Sequence, residues 1–143
     1  MMADEMVEQC LAHYLEDYGL GVRAATTGWG IYYGQIPNEP DQVIVVRKYG
    51  GYPDEPNNDG TVRLEFPAVM VSVRGIREDY DSPMIMMQRV VKSVTKIGNQ
   101  DLYGVNYKAV LVKTPAYHFD QDQNLRHQFN VNLQVFKDFS DPG

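Results

Sequence analysis

Cysteine is nearly missing. Cys10 is the only one in 143 residues, so no intrachain disulfide can staple the chain. A core must come from apolar burial alone, which a chain of this length can supply. Lysine and arginine never form a run, and the formal net charge is -6. Nonspecific duplex binding needs cations to neutralise phosphates, so this balance argues against it. An acidic surface suits a protein past which DNA must slide. No apolar run approaches the roughly 20 residues of a membrane span. Met1-Met2-Ala3-Asp4-Glu5 is acidic and leads into no apolar h-region, which argues against a signal peptide. The expected compartment is reducing and aqueous. Tryptophan is single, and there are three histidines.

What is present looks like one globular domain over 1–143. Apolar residues make up 43%, close to the globular norm, so wholesale disorder is not expected. Tyrosine, at 10, outnumbers phenylalanine, at 5. Tyrosine has an apolar body and a polar tip, which suits strands and half-exposed interfaces.

Val7, Leu11, Tyr14, Leu15 and Tyr18 recur at helical spacing, with Met6 and Cys10 beside them. The pattern predicts a helix from Asp4 to Tyr18, stopped by Gly19 and Gly21. Gly28-Trp29-Gly30 opens a strand over Ile31, Tyr32 and Tyr33. Gln42 to Tyr49 contains Val43-Ile44-Val45-Val46, β-branched throughout, and predicts a strand buried on both faces. Gly50 to Thr61 is rich in Gly, Pro, Asn and Asp and predicts a loop. Pro67 to Gly75 alternates, with Val69, Val71 and Val73 on one face and Met70, Ser72 and Arg74 on the other. Ser82 as N-cap and Pro83 at the first position predict a second helix, with Met87, Val90, Val91, Val94 and Ile97 as its stripe. Lys92 and Lys96 suit its last turns, and Gly98 closes it. Tyr103 to Thr114 predicts a strand with Val105, Tyr107, Ala109 and Leu111 on one face. Pro115 to Asn124 predicts a loop. Arg126 to Lys137 predicts the last strand, with Phe129, Val131, Leu133 and Val135 toward the core. The fold class is α+β: a mixed or antiparallel sheet of about five strands, with two helices on one face, in the order α-β-β-β-α-β-β.

Catalytic patterns are scarce. Cys10 and His13 are spaced to share a helix face, but a structural zinc needs about four ligands, and His118 and His127 lie far along the chain. Asp120-Gln121-Asp122-Gln123-Asn124 mimics the opening of a calcium loop. Leu125 stands where that loop needs glycine, and Val131 where it needs a bidentate Glu. The simpler reading is a polar turn whose Asp and Asn side chains bond nearby backbone. A Gly-x-Ser-x-Gly elbow is absent, as is a phosphate-binding Gly-rich loop. Neither a cofactor nor a metal is expected, and assembly is favoured over chemistry. Open strand edges then become the means of contact.

The ordered set of motifs resembles the minor capsid and tail-completion proteins of long-tailed bacteriophages, and through them the tail terminators. The resemblance rests on the first helix running into Gly19-Leu20-Gly21, then Ile31-Tyr32-Tyr33-Gly34-Gln35-Ile36-Pro37 and Tyr49-Gly50-Gly51-Tyr52-Pro53. It continues through Pro67-Ala68-Val69-Met70-Val71-Ser72-Val73-Arg74-Gly75 and ends in Asp120-Gln121-Asp122-Gln123-Asn124-Leu125-Arg126. Leu125 stands where the pattern leads one to expect glycine, and Tyr49 where a small residue is common. The resemblance implies a virion protein, assembled in the host cytoplasm. It would form a hexameric ring that caps the tail tube and meets the head–tail connector protein, without catalysis. Its partners would be further copies of itself, the tail tube protein and the connector protein, with DNA only passing through and no membrane involved. Tyr49, Gly50, Gly51, Tyr52, Asp54, Glu55, Asp59, His118, Asp120 and Asp122 are the expected contact residues. Arg74, Arg77 and Arg126 are expected to meet carboxylates across subunits, and Asp54, Glu55 and Asp59 to line the opening. The alternatives are a head-completion or connector protein and a small metal-dependent enzyme.

Overall fold

Helix α1 (Val7–Asp17) opens the chain in a computed structural model that describes residues 6–56 and 63–138. The amide of Met6 donates to the side chain of Gln9 at its start. Its end is set by Gly19, whose φ of 88° places it in the left-handed region. The Gly19 amide donates to the Glu16 carbonyl at 2.9 Å and the Leu20 amide to the Leu15 carbonyl at 3.1 Å. That double closure is the Schellman stop, and buried Leu20 folds back beneath it. Helix α2 (Asp81–Val94) starts one residue before the predicted cap. Ser82 therefore lies in the first turn, and its amide donates to the Asp79 carboxylate at 3.1 Å.

The strands are β1 (Val22–Arg23), β2 (Gly30–Tyr33), β3 (Val43–Pro56), β4 (Arg63–Arg77), β5 (Gly98–Leu102), β6 (Val105–Gln121) and β7 (Arg126–Asp138). They form one seven-stranded sheet in the order β1-β2-β3-β4-β7-β6-β5. The pairs β1–β2 and β2–β3 are parallel and the others antiparallel, so the sheet is mixed. Two strands beyond the predicted five are the short outermost ones, β1 and β5. The order is accordingly α-β-β-β-β-α-β-β-β. Gly30 is forced by packing: a Cβ there would meet the Ala25 carbonyl oxygen at 2.4 Å.

Both helices pack on one face. Leu11 and Leu15 of α1 and Met87, Val90 and Val94 of α2 share a cluster with Ile44, Val46, Val69, Val71, Val73, Val131, Leu133 and Val135. These are alternate positions of β3, β4 and β7, as the period of two requires. The run Val43–Val46 is buried on both faces, as its composition predicts. Val43 and Val45 lie under the opposite, helix-free face.

Strand β6 departs from simple alternation. Its pairing with β7 slips by one residue at four places: between Tyr107 and Ala109, Val112 and Thr114, Thr114 and Tyr117, and His118 and Asp120. Each slip adds a residue to β6 and increases local twist, so the sheet curls. The first slip also corrects an expected face. Tyr107 and Val110 are buried, whereas Leu111 is 54% exposed. A one-residue bulge moves every later side chain to the other face.

Two predicted loops are largely strand. Gly50–Pro56 continues β3, and Pro115–Gln121 continues β6. The remaining residues of the first, 57–61, lie outside the described ones.

Candidate functional site

Two strand flanks are open, on opposite sides of the sheet. Strand β2 covers β3 only from Val43 to Val46, so from Arg47 to Pro56 the outer side of β3 has no neighbour among the described residues. Strand β5 covers β6 only as far as Ala109, so from Val110 to Gln121 the outer side of β6 is open in the same sense. The two strands run in opposite directions. The β6 flank exposes Leu111, Val112, Tyr117 and Phe119, at 54%, 38%, 38% and 56%. Exposed apolar side chains gathered on one strand mark a contact surface. Tyr49 occupies the surplus position where β3 slips against β4, and is 45% exposed.

The polar turn after β6 is an anchor for its own chain. The Asp122 carboxylate accepts from the backbone amides of Asn124 and Arg126 and from Arg126 Nε, at 3.0, 2.9 and 2.8 Å. Burial pushes the Asp122 carboxyl up, but the amide and guanidinium of Arg126 outweigh it and hold the group below the ordinary carboxylate range. The Arg126 guanidinium is buried and also donates to the Asn38 carbonyl at 2.6 Å and the Asp41 carboxylate at 3.0 Å. Arg74, one strand over, is buried too and donates to the carbonyls of Asp41, Asn38 and Pro40. Its pKa is lowered, first by burial and then by the neighbouring Arg126. Together the two arginines hold residues 34–42, the connection between β2 and β3, against the end of the sheet. Their guanidinium groups face inward to their own chain. Arg77, also expected to bridge subunits, is exposed at the end of β4. A calcium loop would leave the Asp122 carboxylate for an ion, whereas here it is committed to Arg126.

A groove of about 350 Å³ lies on the helix-free face, lined by Ile36, Arg47, Met70, Tyr117, Phe119, Gln128 and Asn130. Arg47 reaches Ser72 Oγ at 2.9 Å and Met70 Sδ at 3.4 Å through one terminal nitrogen. Its Nε is buried without a hydrogen-bond partner. Burial lowers its pKa, with no carboxylate contributing.

His118 and His127, nine residues apart, meet ring to ring, with His118 Nε2 2.9 Å from His127 Nδ1. Tyr80 and Phe129 pack around them. The β6–β7 hairpin brings the pair together, which linear spacing hides. Cys10 is buried, and His13 stacks on Tyr103 at 3.6 Å. Among the described residues no group of three or more His, Cys, Asp or Glu is arranged to hold a metal. Nor is any helix among them long and apolar enough to cross a membrane. Asp120 is exposed and accepts from the amide of Gln121. Gly50, Gly51, Tyr52, Asp54 and Glu55 lie in β3 along its open flank, and Asp59 falls outside the described residues.

No family model matches the chain, and no curated protein matches it. Among solved structures it is similar to a chain described as "Virion of native gene transfer agent (GTA) particle". The TM-score is 0.63 at 12% identity, over 93% of this chain and 95% of that one. A likeness at that identity establishes a shared fold.

Proposed function

We propose that this chain is a structural virion protein of a long-tailed, phage-like particle, and within it a tail terminator. Copies close into a six-membered ring that caps the tail tube and meets the head–tail connector, and DNA passes through the opening. The reading is carried by one observation: the two open flanks, β3 from Arg47 and β6 to Gln121, lie on opposite sides of a single sheet. A flank on each side, running in opposite directions, suits heterologous head-to-tail contact, and such contacts generate rings when the rotation closes. Pro115 and the slips in β6 break any long ladder. Contact therefore rests on side chains such as Leu111 and Phe119 as much as on backbone pairing. The fold shared with a chain of a gene transfer agent virion supports the reading. So does the acidic balance, which keeps passing DNA from sticking.

The test is to delete the gene from the particle genome that encodes it and to measure tail length and head attachment by electron microscopy. Overlong tails detached from heads are expected. Normal tails beside finished heads would move the protein to the head side of the junction, and intact infectious particles would refute a virion role.

A further inference from the structure

Two histidines tie the tip of β6 to β7. His118 Nε2 and His127 Nδ1 are 2.9 Å apart and the ring centroids 5.1 Å apart, so the rings meet nitrogen to nitrogen and do not stack. Tyr80, at the start of α2, packs against both rings, and Phe129 against His118. His118 is exposed and His127 half-buried, so protons from solvent reach the pair.

A hydrogen bond between two ring nitrogens needs one proton and one lone pair. That arrangement exists when both rings are neutral, and also when one of them is charged. When both are charged, each facing nitrogen carries a proton. The acceptor is then gone, and like charges stand side by side. The bond therefore survives the first added proton and is broken by the second. From the connection between β4 and α2, Asp79 bears on the pair. Its carboxyl is held below the ordinary range, first by the Ser82 amide and in smaller part by His127. Asp79 thus favours the first charge on His127 and leaves His118 to take the second. Glu78 and Asp81, on either side of Asp79 and Tyr80, are exposed. On β6, Asp120 accepts from the Gln121 amide. On β7, Arg126 is turned to Asn38, Asp41 and Asp122, and its register partner on β4, Arg77, is exposed.

The position of the pair gives it leverage. The β6–β7 pairing slips between Thr114 and Tyr117 and again between His118 and Asp120, so the backbone ladder is interrupted on both sides of His118. His118 stands between Tyr117 and Phe119, two of the apolar residues that β6 exposes. We infer that the His118–His127 pair is a proton-operated latch on the tip of β6: it holds the strand to β7 while at most one ring is charged, and releases it when both are. The latch stands on its own geometry. Its consequence, that acid weakens association through the β6 flank, rests on the assembly reading above.

The test uses the full-length chain at low concentration and amide hydrogen exchange read by NMR between pH 7.5 and pH 5. Ionised carboxylates, which titrate near 4, keep their charge across that range. The released form binds one proton more than the latched form, so its population rises up to about tenfold per pH unit once the second ring titrates. Protection factors, corrected for the intrinsic exchange rate, are expected to fall about tenfold at residues 117–121 and 127–129 and to hold in β4. His118→Gln supplies the control. Its amide can donate to or accept from His127 Nδ1, so the bond persists whatever the charge on His127. Protection in that variant should change by less than about twofold, and peak dispersion shows that it is folded. His13 is present in both chains, so it cannot account for a difference between them. Wild-type protection that stays level to pH 5 would overturn the latch, and so would an equal fall in His118→Gln. Sedimentation at high concentration then reads the consequence: association should weaken at pH 5 in the wild type and hold in the variant. Equal weakening in both would overturn the link to association. None of these readouts depends on tail morphology, so normal tails in the deletion experiment would sink the terminator role and leave the latch standing.

Discussion

At the scale of the residue, the end of the sheet near the β6–β7 turn depends on a few committed groups. Asp122 takes donors from Asn124 and Arg126 and is held below its ordinary range. A depressed carboxylate contributes stability that is complete above its unfolded value, about 3.9, and is lost as pH falls through the lower folded value. Asp122→Asn should therefore lower stability at neutral pH by about 1–3 kcal/mol. It should also flatten the acid limb of the stability curve, as read by urea melts across pH. Leu125 behaves differently. Its φ of 59° is left-handed, which glycine adopts freely and leucine does not. Relief of roughly 1–2 kcal/mol of strain offsets the loss of a half-buried side chain worth about as much. Leu125→Gly should then change stability by less than about 1 kcal/mol in the same melts. A glycine, which the sequence resemblance leads one to expect here, would adopt this backbone without strain.

At the scale of the element, legibility follows how strongly each strand is constrained. Val69, Val71 and Val73, and Phe129, Val131, Leu133 and Val135, were readable because β4 and β7 sit mid-sheet with a helix-covered face. The ends of β3 and β6 were not. Gly, Pro and Asp ordinarily mark loops, yet on an open flank a proline removes no ladder bond, so Pro115 can remain in β6. Bulges leave no mark in composition, so Leu111 was assigned inward when Val110 takes that place. Strands β1 and β5 are too short or too polar to show a period. Arg74 and Arg126 resemble ordinary surface cations in sequence, because the carbonyls that receive them come from residues 38–41. The exposed row on β6 makes its own prediction. Leu111→Asp with Phe119→Asp should leave the melting behaviour of the dilute monomer within about 0.5 kcal/mol of wild type. The same pair should abolish association with tail tubes in a co-sedimentation assay.

At the scale of the whole molecule, one curled sheet has its helices on one face and a groove of mixed lining on the other. Most of its apolar side chains are sealed by α1 and α2. Four of the exposed ones, Leu111, Val112, Tyr117 and Phe119, lie in one strand, β6. A chain that associates through such a surface gains apparent stability by mass action. The wild-type melting temperature should accordingly rise with protein concentration, while that of the Leu111→Asp, Phe119→Asp variant should not. Scanning calorimetry over a hundredfold dilution reads the difference directly.

The grip of Arg74 and Arg126 on residues 38–41 has a further consequence, for how this shape can be inherited. Most of what the two guanidinium groups hold there is main-chain oxygen, at Asn38, Pro40 and Asp41. A carbonyl is the same whatever side chain it carries. Provided that the backbone path is kept, substitutions in this connection leave those bonds in place. Descendants of such a chain can drift far apart in spelling while their sheets remain superimposable.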